Sequence, residues 1–156
     1  MMNNPFFKFK EIILDTGPLL LYLIGFYNEK ELRRFNYSED EFMPLCTFLR
    51  NFKKIFVTPH VLAEVSNLAK NRLKEEKFSE FIKFSISILA RLGEEHVDKN
   101  EILKREELPM FGITDVSLVC MAERNRLLLT DDGPLFWYCN GKNMPIIHLD
   151  RIRFIS

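Results

Sequence analysis

Two distant stretches of the chain, LDTGPLL at residues 14–20 and TDDGPLF at residues 130–136, each join aspartate to Gly-Pro and an apolar run. A short apolar segment precedes each aspartate, and Gly-Pro followed by apolar residues is typical of a strand that turns into a helix. In open α/β sheets ligands bind beyond the carboxyl ends of the strands. Asp15 and the pair Asp131-Asp132 are therefore expected at a binding edge.

Two further acids follow the same pattern. Glu64 lies on the first turns of the helix predicted after the second strand, and Asp115 opens the helix that leads into the third strand. Carboxylates that converge without a cation repel one another. Mg²⁺ and Mn²⁺ prefer oxygen ligands, so a cluster of acids without Cys or His fits them better than zinc. A metal held in this way activates water and neutralises phosphate oxygens, which makes phosphodiester hydrolysis the natural reaction.

Each of these acids also has a simpler explanation. Asp15, Asp115 and Asp132 stand near predicted helix starts, where aspartate caps free N–H groups. Glu64 alone would be read as a solvated surface acid. A zinc site built on His60 and Glu64, at i, i+4 spacing, offers two ligands where catalytic zinc normally takes three from protein. The four acids together favour the Mg²⁺ or Mn²⁺ interpretation.

The elements that must position the acids alternate along the chain. Alternation of strands and helices predicts βαβ units, and hence an α/β fold with a parallel sheet covered by helices. A chain of 156 residues has room for one ordinary domain, residues 1–156. A charged region, residues 28–40, separates the first helix from the second, and Leu108-Pro109 is placed in a polar connection. The predicted strands are 12–14, 55–57, 127–129 and 145–149, and the predicted helices are 19–26, 41–52, one beginning at Thr58-Pro59, 78–92 and 114–124.

The segments ILDTGPLL, TPHVLAEV, GITDVSLV and LLLTDDGPL, in this order, resemble the acidic signature of PIN-domain ribonucleases, the fold of VapC-type toxins and related RNA-processing nucleases. The resemblance spans residues 12–149. It implies a three-layer α/β/α sandwich with a central parallel sheet, and Mg²⁺- or Mn²⁺-dependent endoribonuclease activity. It assigns the catalytic and metal-binding roles to four acids, Asp15, Glu64, Asp115 and Asp132.

The fourth acid and the biological role stay open. The family's last motif usually reads Thr/Ser-x-Asp, which favours Asp132 with Thr130 as a supporting hydroxyl, and Asp131 is the alternative. The resemblance implies an RNA substrate and allows a toxin that pairs with an antitoxin protein. The charged segment between the first two acids is longer than in the smallest toxins, so the toxin role is a separate hypothesis. A catalytically silent PIN-like scaffold that binds RNA or protein is the competing interpretation.

The overall charge excludes a global attraction to polyanions, because 22 basic and 22 acidic residues cancel. Contacts to an RNA backbone must come from local groups such as Lys53-Lys54, Lys70-Arg72-Lys74 and Arg124-Arg126. Solvated helix faces are the simpler interpretation of most of them.

The remaining composition bears on location and assembly. The longest apolar run, Leu19 to Ile24, is much shorter than the roughly 20 residues of a membrane-spanning helix, so no membrane association is expected. Three cysteines without a CxxC pair indicate neither a disulfide framework nor a zinc site, which favours the cytoplasm. Fifteen phenylalanines in a domain of this size suggest an apolar surface for a homodimer or another partner.

Overall fold

A five-stranded parallel sheet forms the centre of the computed structural model, which describes residues 4–155. The strand order is β3-β2-β1-β4-β5, and every neighbouring pair is parallel. The sequence predicts four of the strands and misses β3, because two residues are too few to show a hydrophobic pattern. The strands are β1 Glu11–Leu14, β2 Lys54–Val57, β3 Gly93–Glu94, β4 Leu127–Thr130 and β5 Ile146–His148.

Helices cover both faces of this sheet. The helix after β1 contacts the three helices that follow it, and the helix before β4 contacts its neighbours on either side along the chain. Connections between parallel strands are right-handed as a rule, and for this strand order the rule puts the helices between β1 and β3 on one face and those between β3 and β5 on the other. The parallel sheet flanked by helices confirms the predicted three-layer α/β/α sandwich. The α-helices are α1 Thr16–Tyr27, α2 Glu39–Leu49, α3 Pro59–Arg72, α4 Glu75–Leu89, α5 Lys99–Leu103, α6 Leu108–Ala122 and α7 Gly133–Gly141.

Two connections differ from their predictions. Leu108-Pro109 begins α6 rather than lying in a polar connection, because proline in a first helical turn has a suitable φ and needs no N–H partner. Gly112, at φ 83° and ψ 176°, then interrupts α6. The charged region after α1 contains a 3-10 helix, Glu29–Phe35, and further 3-10 helices are Pro5–Lys8 and Leu149–Phe154.

The two central strands determine where the binding edge lies. All residues of β4 and the last three of β1 are buried, as expected for parallel strands covered on both faces. β1 pairs with β2 on one side and with β4 on the other, and Leu14 stands opposite Leu129. β2 and β3 are added on one side of β1, and the chain then crosses to the other side of β1 to form β4 and β5. That is the topological switch point, where open α/β sheets form their ligand crevice.

Most of the phenylalanines are inside the molecule. Only Phe26, Phe84 and Phe154 are exposed among the fifteen, because the others pack into or against one continuous apolar core. The phenylalanine count therefore does not indicate a dimer surface by itself, and the homodimer stays a prediction. None of the helices within residues 4–155 has the length and hydropathy that crossing a membrane requires.

Close packing of α1 on α2 predicts the effect of a methyl group at Gly25. A Cβ atom at this position would lie 2.1 Å from Cδ2 of the buried Phe42. The resulting overpacking should outweigh the gain in helix propensity, so Gly25→Ala should lower the free energy of unfolding by about 1–3 kcal/mol. Denaturant unfolding measures this. Gly141→Ala is the control, because no atom of residues 4–155 lies within 4 Å of its added Cβ. An equal loss in both variants would contradict the packing argument.

Candidate functional site

Asp15 lies between β1 and α1, at the middle of the sheet's carboxyl edge. Its backbone N–H donates to the carbonyl of Leu129 at 2.9 Å, which continues the pairing of β1 with β4 by one residue. Its Oδ1 accepts the N–H of Thr16 at 2.6 Å and caps α1. The residue is only 5% exposed. Capping is thus one role of this aspartate, and it occupies one of the two carboxylate oxygens.

The hydroxyl of Thr130, the last residue of β4, holds the other oxygen. Thr130 Oγ1 donates to Asp15 Oδ2 at 2.6 Å and accepts the backbone N–H of Asp132 at 3.0 Å. Thr130 is completely buried, so both bonds are shielded from water. One hydroxyl therefore connects the two aspartate motifs that are far apart in the sequence.

The adjacent acids Asp131 and Asp132 have different surroundings. Asp132 Oδ1 accepts the N–H of Leu135 at 3.0 Å and caps α7. Asp131 Oδ2 accepts a short hydrogen bond from the hydroxyl of Tyr37. Its carboxylate also lies over Gly17, where a Cβ atom would be 2.3 Å from both oxygens. Asp131 is therefore held by a neighbouring segment, whereas Asp132 is fixed by the helix that it begins.

Glu64 and Asp115 approach the same edge from helices. Glu64, on the second turn of α3, is exposed, and its Oε1 accepts the hydroxyl of Thr16 at 3.1 Å. Asp115 is half-buried and lies three residues beyond the interruption of α6 at Gly112. The hydrogen bond from Thr16 ties the second predicted acid to the residue next to the first.

The pKa values show that these carboxylates interact. Burial raises the pKa of Asp15 to about 6, against the lowering effect of the hydrogen bonds from Thr130 and Thr16. Burial also raises the pKa of Asp115 to about 7, and the charges of Asp15, Asp132 and Glu64 raise it further. All four predicted acids therefore belong to one electrostatic cluster.

A single cavity of about 450 Å³ is lined by the five acids. Within residues 4–155, none of the five forms an ion pair with a Lys, Arg or His side chain. The negative charge in the cavity is thus not neutralised by the side chains around it. The acids that line it are Asp15, Glu64, Asp115, Asp131 and Asp132.

The donor set fits a hard divalent cation in chemistry, although the oxygens are not gathered around one point. Within residues 4–155, no group of three or more His, Cys, Asp or Glu side chains is arranged to hold a metal ion. A cation held by several of these acids would therefore require their side chains to move closer together. The acids that share the cavity supply carboxylate oxygens, without thiol or imidazole, and this matches Mg²⁺ or Mn²⁺.

The zinc alternative is not supported by the placement of His60. His60 lines a different cavity together with His96, and its buried Nδ1 has no hydrogen-bond partner among residues 4–155. Glu64 lines the acidic cavity instead. The i, i+4 spacing of His60 and Glu64 therefore does not bring the two side chains into one site.

Two residues of the cavity wall, Tyr37 and Arg72, are not acids and were not predicted as site residues from the sequence. Tyr37 follows the 3-10 helix Glu29–Phe35, and Arg72 is the last residue of α3. Arg72 stands out in the sequence only as one of several basic residues, and no spacing rule connects Tyr37 to Asp131. Two other basic candidates, Arg124 and Arg126, are engaged in ion pairs with Glu95.

In comparisons with known proteins, no family model matches this chain, and no curated protein matches it. Its function must therefore be inferred from the residues of the cavity.

Substitution of Asp115 should change how the stability of the metal-free protein depends on pH. The pKa of Asp115 is higher in the folded state than in the unfolded state, so the folded protein binds more protons above about pH 4. Its contribution to the free energy of unfolding therefore decreases as pH rises through about 7. Asp115→Asn removes this titration, and its stability should fall less than that of the parent between about pH 5 and pH 8.

Denaturant unfolding in the presence of a chelator, at several pH values, measures the difference. Asp40→Asn is the matched control, because Asp40 is an exposed acid on α2 that does not line the acidic cavity. Its curve should follow the parent. Parallel curves for the parent and Asp115→Asn would show that the pKa of Asp115 is not raised in the folded protein.

Proposed function

We propose that the protein is a PIN-like endoribonuclease that uses Mg²⁺ or Mn²⁺ held by Asp15, Glu64, Asp115 and Asp132. One observation carries the proposal: acids from four separate parts of the chain line one cavity at the switch point of a parallel sheet, where burial and then the charges of Asp15, Asp132 and Glu64 raise the pKa of Asp115. Structural ion-pair networks also perturb pKa values. Here no basic side chain within residues 4–155 pairs with these acids, which favours a cation-binding role.

The residues of the cavity have distinct tasks in this proposal. Bound Mg²⁺ or Mn²⁺ would lower the pKa of a water molecule and neutralise phosphate oxygens. Thr130 and the N–H of Thr16 stabilise the anionic form of the buried Asp15, and so oppose the protonation that burial favours. Asp115, with a pKa of about 7, is partly protonated near neutral pH, and it must release that proton when a cation binds.

The choice of RNA as substrate and of hydrolysis as reaction rests on two supports. A carboxylate-held divalent cation is suited to phosphodiester chemistry. The order of the four acidic motifs resembles that of PIN-domain ribonucleases, which adds RNA as the substrate class. A toxin role, with an antitoxin protein as partner, is a further hypothesis that depends on the resemblance alone.

Asp15→Asn should abolish metal-dependent cleavage and preserve the fold. Asparagine keeps the volume and an oxygen that can accept the N–H of Thr16, but it removes the charge that would hold the cation. Loss of residues that merely support metal ligands costs about 10–100-fold, so loss of a ligand should lower kcat/KM at least about 100-fold. Cleavage of a labelled RNA in Mn²⁺ measures this, and the melting temperature verifies the fold. Asp40→Asn should cleave like the parent, and equal rates for the parent and Asp15→Asn would refute the assignment.

Addition of millimolar Mg²⁺ or Mn²⁺ should raise the melting temperature of the parent by mass action. At a concentration ten times the dissociation constant, the expected gain is about 1.4 kcal/mol. Asp115→Asn should show a smaller gain, because it lacks one of the charges that attract the cation. NaCl at equal ionic strength controls for general screening. A parent that responds no more to either cation than to NaCl would favour the catalytically silent scaffold.

A further inference from the structure

One positively charged side chain lines the otherwise acidic cavity. Among residues 4–155, Arg72 is the only Lys, Arg or His in the cavity wall, where five carboxylates also lie. Lys70, two residues earlier on the same helix, is exposed like Arg72 but does not line the cavity. Its place in the cavity wall therefore distinguishes Arg72 from the neighbouring lysines, whereas the sequence alone does not.

Neutral groups hold the guanidinium group in place. Arg72 Nη1 donates to the backbone carbonyl of Arg34 at 3.3 Å, and the guanidinium carbon is 5.9 Å from the ring centre of Phe35. Phe35 is buried, so the ring is a fixed surface. No carboxylate within residues 4–155 lies within ion-pair distance of Arg72. Its charge is consequently not neutralised by a neighbour.

The segment that carries these neutral groups is attached to the acidic edge as well. Tyr37 follows Phe35 by two residues, and its hydroxyl donates to Asp131. The segment from Arg34 to Tyr37 is thus connected to Asp131 at one end and to the end of α3 at the other. With these contacts the exposed Arg72 side chain lies beside the acids, and within residues 4–155 it forms no ion pair with them.

An RNA substrate carries a negative charge on every phosphate, so a positively charged side chain in the cavity would help to bind it. A bound divalent ion would neutralise the phosphate that is cut, but the next phosphate along the chain keeps its charge and is repelled by the five carboxylates. The protein has zero formal net charge, so no global field offsets this repulsion. A planar guanidinium group can bind two phosphate oxygens at once.

From these observations we propose that Arg72 binds a phosphate group of the RNA chain adjacent to the phosphate that is cleaved. This inference rests on the proposed ribonuclease function and adds to it a substrate-binding residue outside the acidic motifs. The simpler alternative is structural: Arg72 would only fasten the 3-10 segment to the end of α3 through the carbonyl of Arg34. The two roles differ in their response to salt.

Cleavage kinetics at several salt concentrations distinguish the two roles. The probe is a short, mixed-sequence single-stranded RNA cut by the parent in Mn²⁺. Arg72→Ala should raise KM about tenfold or more with little change in kcat, as expected for the loss of a charge-assisted hydrogen bond. The slope of log(kcat/KM) against log salt concentration should become shallower by about 0.7, the contribution of one phosphate contact in single strands.

Two variants provide the controls. Lys70→Ala removes the same charge from the same helix outside the cavity and should keep the KM and the slope of the parent. Arg72→Gln keeps a side-chain amide that can donate to the carbonyl of Arg34, so it should preserve the melting temperature and still show the raised KM and the shallower salt slope. This variant tests the inference if Arg72→Ala does not fold.

The outcomes separate this inference from the function on which it rests. A parent that does not cleave RNA in Mn²⁺ overturns the proposed function, and the role of Arg72 with it. A parent that cleaves, together with an Arg72→Gln variant that has an unchanged KM and salt slope, overturns the role of Arg72 alone. A lower melting temperature and lower kcat with an unchanged salt slope would assign Arg72 a purely structural role.

Discussion

Burial of the Asp15 carboxylate is the constraint on which the rest of the site depends. A buried charge is costly unless hydrogen bonds or opposite charges compensate for it. Asp15 has two such bonds, from the start of its own helix and from the hydroxyl of Thr130 on the neighbouring strand. The bond from Thr130 depends on the pairing of β1 with β4, which puts Leu14 opposite Leu129 and thereby brings the two motifs together. The compensation is incomplete, because the pKa remains raised.

The incomplete compensation connects the fold with the proposed chemistry. A site that was fully satisfied by its own hydrogen bonds and ion pairs would gain little from a cation. Here burial, and then the charges of Asp15, Asp132 and Glu64, raise the pKa of Asp115. The carboxylates of the cluster repel one another. Protonation reduces this repulsion at low pH, and a bound divalent cation would reduce it at neutral pH.

Sequence patterns predicted the parts of the molecule that depend on local chemistry. The apolar runs of β1 and β4 and the Gly-Pro junctions after them follow from strand and helix preferences, and they were sufficient for the fold class and for the edge on which the acids lie. The contacts of Tyr37 and Arg72 could not be predicted in this way. They depend on how a charged segment of seven helical residues folds back over the sheet edge, and such contacts leave no periodic signal.

The repeated Gly-Pro motifs at the two ends of the chain are not independent. Asp131 occupies the space that a side chain at position 17 would need, and its hydrogen bond with Tyr37 keeps it there. An alanine at position 17 would fit only if the Asp131 carboxylate moved away. Among homologous sequences the two positions should therefore covary, with a residue larger than glycine at 17 tolerated only alongside a smaller one at 131. The glycine of the first motif therefore has a steric role that Gly133 does not share, because among residues 4–155 nothing lies within 4 Å of a Cβ atom added at position 133.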